Sequence, residues 1–159
     1  NAINGNTADT DRSLTNVQVF PWWKIDMGSS QTINRLRLFQ FSFSLERLSN
    51  FYIVFSDTDI SLPATPTQTD VDNLIANNDN IYNSGEIASP SEDLTFSDKT
   101  FRYMIIVRNI TSADRLQITE IEAYADEISY ANIGTMKRPV YCQPPETLLN
   151  YNFLISCLS

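Results

Sequence analysis

Pro21-Trp22-Trp23-Lys24-Ile25-Asp26-Met27-Gly28 is the stretch from which the fold is read. Its bulky side chains and lack of helical spacing predict a strand over residues 22–27, stopped by Gly28. Working outward, residues 33–39 predict the next strand. Ile33 and the pair Leu36 and Leu38 point inward, while Arg35 and Arg37 point out. Residues 50–56 carry Phe51, Tyr52, Ile53, Val54 and Phe55, too apolar for a half-exposed strand, so they belong centrally in a sheet. Residues 102–108 repeat that pattern with arginine at both ends, and residues 117–124 close the series. Weaker strands lie near Ile81-Tyr82 and Leu94-Thr95-Phe96. Residues 69–77 predict the one helix, with Thr69 or Asp70 as cap and Val71, Leu74 and Ile75 on one face. The pattern is an all-β domain with one short helix. After residue 125 the alternation stops, so residues 1–125 read as the domain. Residues 126–159 read as a C-terminal extension or the start of a following module.

With 159 residues, 42% of them hydrophobic, the chain can bury one sizeable core. Its net charge of −8 leaves no basic footprint, which argues against a nucleic-acid partner. There is no histidine and there are only two cysteines. Histidine-dependent catalytic triads and imidazole or four-cysteine zinc sites are therefore excluded. What remains is oxygen chemistry, suited to a hard cation such as calcium. No apolar run approaches the roughly 20 residues of a membrane helix. The start at Asn1, without a leader pattern, suggests a processed or excised piece of a longer protein or an artificial boundary.

Several segments in order resemble the discoidin-like, or coagulation factor V/VIII type C, superfamily. The superfamily includes the F-type (fucose-binding) lectins and bacterial galactose-binding modules, and the chain is most similar to F-type-lectin-like bacterial carbohydrate-binding modules. The segments are Asn1-Ala2-Ile3-Asn4-Gly5-Asn6, the quoted Pro21–Gly28 stretch, Glu46-Arg47-Leu48 with the run from Phe51 to Asp57, Phe101 to Val107, and Leu116 to Tyr124. The resemblance implies a jelly-roll β-sandwich that binds ligands with loops at one end.

It also implies a calcium ion joining the first loop to the last strand. Carried over residue by residue, the ligands are the Asn1 carbonyl, the Asn4 side chain, the Asn6 carbonyl, Thr15 through carbonyl and hydroxyl, the Thr119 carbonyl and the Glu120 carboxylate. Six or seven oxygens suit calcium. Asn4 stands where the family usually has aspartate, so binding is expected to be weaker unless Asp9 or Asp11 reaches the ion. The alternative is an Asx-rich turn without metal.

Fucose-binding relatives grip sugar hydroxyls with one histidine and two arginines. The histidine position falls on Gln18, the first arginine on Gln40 and the second on Arg47; the aspartate accompanying the first falls on Ser42. Fucose specificity is therefore not expected. Glutamine both donates and accepts, so Gln18, Gln40 and Arg47 predict a neutral-leaning site for a different glycan. Arg47 has an alternative role in pairing a local carboxylate. In Phe39-Gln40-Phe41-Ser42-Phe43 the rings share a parity opposite to Leu36 and Leu38. Phe41 and Phe43, joined by Phe20, predict an apolar platform, unless a β-bulge turns the rings inward. Trp22 and Trp23 are expected mainly in the core. Glu120 and Glu122 have the residue types of a glycosidase pair, but no catalytic function is expected.

The leading expectation is a calcium-stabilised, non-catalytic, lectin-like module of a secreted or cell-surface protein, adhering to glycans. The alternative is a protein- or membrane-contacting module, or a structural module of a larger surface filament, without a sugar site. A membrane partner is disfavoured for want of a basic patch, whereas further domains of the same parent chain are possible neighbours. Bridged, Cys142 and Cys157 would close a short loop worth roughly 3 kcal/mol; two unpaired thiols, or links to other chains, are the alternatives. Asn109-Ile110-Thr111 is a formal glycosylation sequon.

Overall fold

The computed structural model describes residues 5, 7, 8, 12–87 and 89–125, with the backbone of three short strands beyond them. The elements in chain order are β1 (Ser13–Leu14), β2 (Trp22–Phe39), a 3-10 turn (Leu45–Arg47), β3 (Ser49–Ser56), α1 (Gln68–Ala76), β4 (Asp79–Glu86), β5 (Ser91–Arg108), β6 (Gln117–Ile118) and β7 (Glu120–Tyr124). Three short strands follow: β8 (Pro139–Val140), β9 (Cys142–Gln143) and β10 (Ser156–Cys157). The main sheet has the order β4-β3-β5-β2-β7-β8, and β1 pairs with β6 in a second, two-stranded sheet. All pairings are antiparallel. The architecture is the expected all-β sandwich with one short helix.

Gly28 does not stop the strand. It adopts a φ of 79°, its N–H donates to Asp26 Oδ1 at 2.8 Å, and the β2–β5 register shifts between Asp26 and Gln31. Glycine tolerates the left-handed conformation and lets the chain bend while pairing continues. The stretches expected at 22–27 and 33–39 are thus one strand of 18 residues. β5 likewise joins the expected strands at 94–96 and 102–108. The closing strand divides at Thr119 into β6 and β7. Ile25 and Met27 from the first half of β2 share one core cluster with Ile33, Leu36 and Leu38 from its second half. The long strand therefore contributes to the core on both sides of its bend.

The helix caps two residues before the expected position. Thr67 is the N-cap and accepts from Asp70 N–H, while the Asp70 carboxylate accepts from Thr67 N–H at 2.8 Å, a reciprocal capping box. Val71 and Leu74 then pack with Val54, Ile105, Val107, Leu62 and Phe20 in a second apolar cluster. At the far end β8 pairs with β7, and Cys157 is the backbone register partner of Cys142.

Candidate functional site

The chain leaving β2 turns sharply. Ser44 N–H donates to Phe41 O and Arg47 N–H to Ser44 O, at 3.2 and 3.1 Å. A tight turn at Phe41–Ser44 thus leads into the short 3-10 turn Leu45–Arg47, the rod that carries Arg47. Fully buried Leu48 anchors the rod, and the Ser49 hydroxyl donates to Glu46 O at 2.6 Å. Phe43 projects from the turn before it with 84% of its surface exposed, its ring centroid 5.5 Å from that of half-buried Phe41. The Arg12 guanidinium lies 4.4 Å from the Phe41 ring centre on the other contact.

Behind the rod stands Arg108, at the end of β5 and 4% exposed. Its Nη1 donates to Asp114 Oδ2 at 2.7 Å and to Arg115 O at 2.6 Å. Its Nη2 donates to Glu46 O at 2.7 Å and Ser49 Oγ at 3.1 Å, and Nε donates to Ser49 O at 3.3 Å. One guanidinium thereby ties the loop after β5 to the turn before β3. Burial alone would raise the Asp114 carboxyl. The Arg108 hydrogen bond, the Arg115 backbone N–H and the charges of Arg108 and Arg47 outweigh it and hold the group below its ordinary range. Gln18, on the segment before β2, is tied to that loop through two backbone bonds with Asp114, at 3.0 and 3.1 Å. Arg47 Nη1 donates to the Oε1 of buried Gln117 at 2.8 Å. Gln18, Arg47, Asp114 and Gln117 are thus brought to one rim, linked through the Arg108 clamp.

Two residues expected at this rim are elsewhere. Gln40 is 2% exposed, and its Nε2 donates to Ile87 O at 2.8 Å and Ser89 O at 2.9 Å. It is a strut that ties the end of β2 to the loop before β5. The inward parity of Leu36 and Leu38 carries on to it and keeps it from presenting an amide to a ligand. Phe20 is 4% exposed and belongs to the cluster under α1. Its φ of 50° turns the ring inward just before Pro21, so it does not join Phe41 and Phe43. Trp23 packs against the main core and Trp22 against the second cluster, with its Nε1 donating to Pro63 O at 3.1 Å.

At the expected metal site, Asn1, Asn4 and Asn6 lie outside the described residues. Gly5 does meet Glu120: its N–H donates to Oε2 at 2.9 Å across 115 positions. Glu120 is 2% exposed. Thr119 N–H donates to Phe39 O at 2.8 Å, and its buried hydroxyl has no hydrogen-bond partner among the described residues. Thr15 is displaced. Its N–H donates to Leu116 O at 3.1 Å, and its hydroxyl accepts from Leu116 N–H and donates to Asn16 O. Its carbonyl accepts from Arg115 Nη1 at 3.4 Å. Antiparallel register, with Ser13 opposite Ile118, puts Thr15 beside Leu116, about 10 Å of strand from Thr119. Ser13, which the sequence did not single out, is the nearer neighbour of Thr119 by register. Among the described residues both Glu120 oxygens accept backbone N–H bonds, Oε2 from Gly5 and Oε1 from Ile121 at 3.3 Å, and a carboxylate is an oxygen donor of the kind a hard cation takes.

Glu120 and Glu122 do not act together, since Glu122 accepts from the Tyr124 hydroxyl at 2.6 Å. Burial first, and then that bond, push the Tyr124 hydroxyl up to about 12. Arg108, Asp114 and Gln117 are the residues that sequence reasoning missed. The available signal was an arginine ending a run of buried strand residues, a place where a cation needs a dedicated set of acceptors.

The sandwich, its bent long strands and its polar loop end define an all-β module with one short helix. Residues 1–106 match the family of NedA-like, galactose-binding domains of the F5/F8 type C group, and the chain belongs to that family. The fold is shared with a fucose-binding module of Streptococcus pneumoniae, at 20% identity and a TM-score of 0.59, over 77% of this chain and 78% of that one. It is shared with the lectin domain of lectinolysin in complex with Lewis B antigen, at 20% identity and 0.59, over 79% and 82%. A third likeness is to chitosan-binding module 2 of a chitosanase/glucanase from Paenibacillus sp. IK-5, in complex with chitotriose, at 22% identity and 0.54, over 78% and 83%. No curated protein matches the chain in sequence. These likenesses, at 20–22% identity, show the fold that the chain shares with those modules.

Proposed function

We propose that this module binds a glycan at the rim formed by Arg47, Gln18 and the Phe41–Phe43 pair, as part of a secreted or cell-surface protein. The observation that carries the reading is the exposed Phe43 ring, tilted against Phe41 at 5.5 Å between centroids, on the segment that leads into the turn carrying Arg47. A ring with an open face takes the C–H face of a sugar, while a nearby guanidinium donates to its oxygens. A calcium ion is proposed between the first loop and Glu120, held by Asn1, Asn4, Asn6, the Thr119 carbonyl and the Glu120 carboxylate. The close approach of Gly5 to Glu120 supports this. When bound, the ion would neutralise the carboxylate and restrain the loop. Residues 126–159 would be an extension of the 1–125 module. No helix among the described residues is long and apolar enough to cross a membrane.

A glycan array probed with the labelled chain, in calcium and then in chelator, tests the proposal. Binding to defined sugars is expected. Silence on the array together with sedimentation on liposomes would favour the membrane-contacting alternative. Thermal melting under the same two conditions tests the ion, and an unchanged melting temperature would count against it.

A further inference from the structure

We propose that the rim selects an anionic saccharide, one carrying a carboxylate or sulfate, over a neutral one; this rests on the glycan-binding reading above. The argument is a balance of donors and acceptors. Arg47 spends one Nη1 bond on Gln117. Its Nε and Nη2 make no hydrogen bond among the described residues, and it has no carboxylate within ion-pair distance there, Glu46 included. Arg108, by contrast, is matched by Asp114. Arg115 reaches only the Thr15 carbonyl, at 3.4 Å, and it too has no ion pair among the described residues.

Most acceptors beside Arg47 are committed. Asp114 accepts from Arg108 and from the Arg115 backbone N–H. Gln117 gives its Oε1 to Arg47, while its buried Nε2 has no acceptor among the described residues. Gln40, the other amide expected to balance the site, is turned into the core. Against the Gln18 amide and the exposed Glu46 carboxylate stand the unspent donors of Arg47 and Gln117 and the charges of Arg47 and Arg115.

A sugar hydroxyl both donates and accepts, and with Asp114 and the Gln117 Oε1 spent it would be served mainly as an acceptor beside Arg47. A carboxylate or sulfate only accepts, and it matches the planar fork of an arginine. The net charge of −8 disfavours long polyanions at range, but a single anionic group on a sugar meets local positive charge within a Debye length.

The test is calorimetric titration of the full chain with three matched probes: a galactose disaccharide, its galacturonic-acid counterpart and its sulfated counterpart. The two charged probes are expected to bind about tenfold tighter than the neutral one at low salt, with the preference shrinking as salt rises. The carboxylated and sulfated arms tell which anion fits better. Arg47→Gln is expected to abolish the preference and Arg47→Lys to keep only part of it, both titrated well below the melting temperature of each variant, which loss of the bond to buried Gln117 Oε1 should lower. Equal binding of neutral and charged probes, or a charge preference that survives Arg47→Gln, overturns the inference and leaves glycan binding standing. Failure of all three probes and of the array overturns both.

Discussion

The region under α1 and the rim around Arg47 close the same sandwich by different physics. Under α1, Val54, Ile105, Val71 and Leu74 meet in apolar contact, and the polar ends of the helix are served by their own capping box. At the rim the closure is polar. Arg108 is saturated by carbonyls, a hydroxyl and a carboxylate, yet next to it Arg47 and Gln117 keep unused donors. Apolar closure is complete without a partner, because burial is non-directional. Polar closure built from long side chains leaves particular atoms over, and those atoms are what a ligand can read.

If that contrast is right, the largest loss comes from Arg108→Ala. It strands Asp114 and takes a donor from the carbonyls of Glu46, Ser49 and Arg115, and about 3 kcal/mol of unfolding free energy should go. That is the lower end for a broken buried pair, because Asp114 keeps 37% of its side chain exposed. Urea denaturation measures it, and glycan affinity should fall with it because the loop carrying Asp114, to which Gln18 is paired, is released. Leu74→Ala, with Leu74 8% exposed, should cost about 2 kcal/mol by the same assay. Unlike the arginine change, it should leave glycan affinity where it was. Loss of affinity in the leucine variant would break the separation between the two regions.

The apolar region was the more legible. Val71, Leu74 and Ile75 announce their shared face by helical spacing, and Ile33, Leu36 and Leu38 their common burial by type and parity. Gly28 misled because glycine marks a bend as readily as an end, and only pairing on both sides of it distinguishes the two. At the rim, Phe43 was legible by parity, and the same parity places Gln40 inward. Reading Gln40 as a ligand came from its position in the family, which carries no information about burial. Arg108 acts through partners at Glu46, Ser49, Asp114 and Arg115, two stretches that meet only when β3 and β5 pair. The approach of Gly5 to Glu120, 115 positions apart, has no local signature at all and came from resemblance.

Smaller effects sharpen the comparison. Thr67→Ala removes the N-cap and should cost about 1 kcal/mol, as loss of such caps does. Acid probes both regions together. Hydrogen bonds from Thr67 hold the Asp70 carboxyl below its ordinary value of 3.8, and Arg108 does the same for Asp114 against the opposing effect of burial. A carboxylate with a depressed folded pKa contributes stability that is fully present above its unfolded value. That contribution is lost as pH falls through the folded one. The melting temperature should therefore drop as pH is lowered below the ordinary carboxylate value, and Asp114→Asn should flatten part of that slope. A slope unchanged in the asparagine variant would mean that the clamp does not depend on the Asp114 charge.

The smallest change in stability is expected where the change in function should be clearest. Phe43 keeps 84% of its surface in solvent, so Phe43→Ala should alter unfolding free energy by no more than about 0.5 kcal/mol. Its one ring contact, with Phe41 at 5.5 Å, is not part of either core cluster. An exposed apolar ring that adds nothing to folding has to be explained by what it touches from outside. Titration with an array-identified sugar should show affinity falling several-fold in Phe43→Ala, with Phe43→Trp equal to or tighter than the parent, because a larger ring offers more face for stacking. If the alanine variant binds as the parent does, the platform is not part of the sugar site, and the rim's specificity has to come from Arg47 and its neighbours alone.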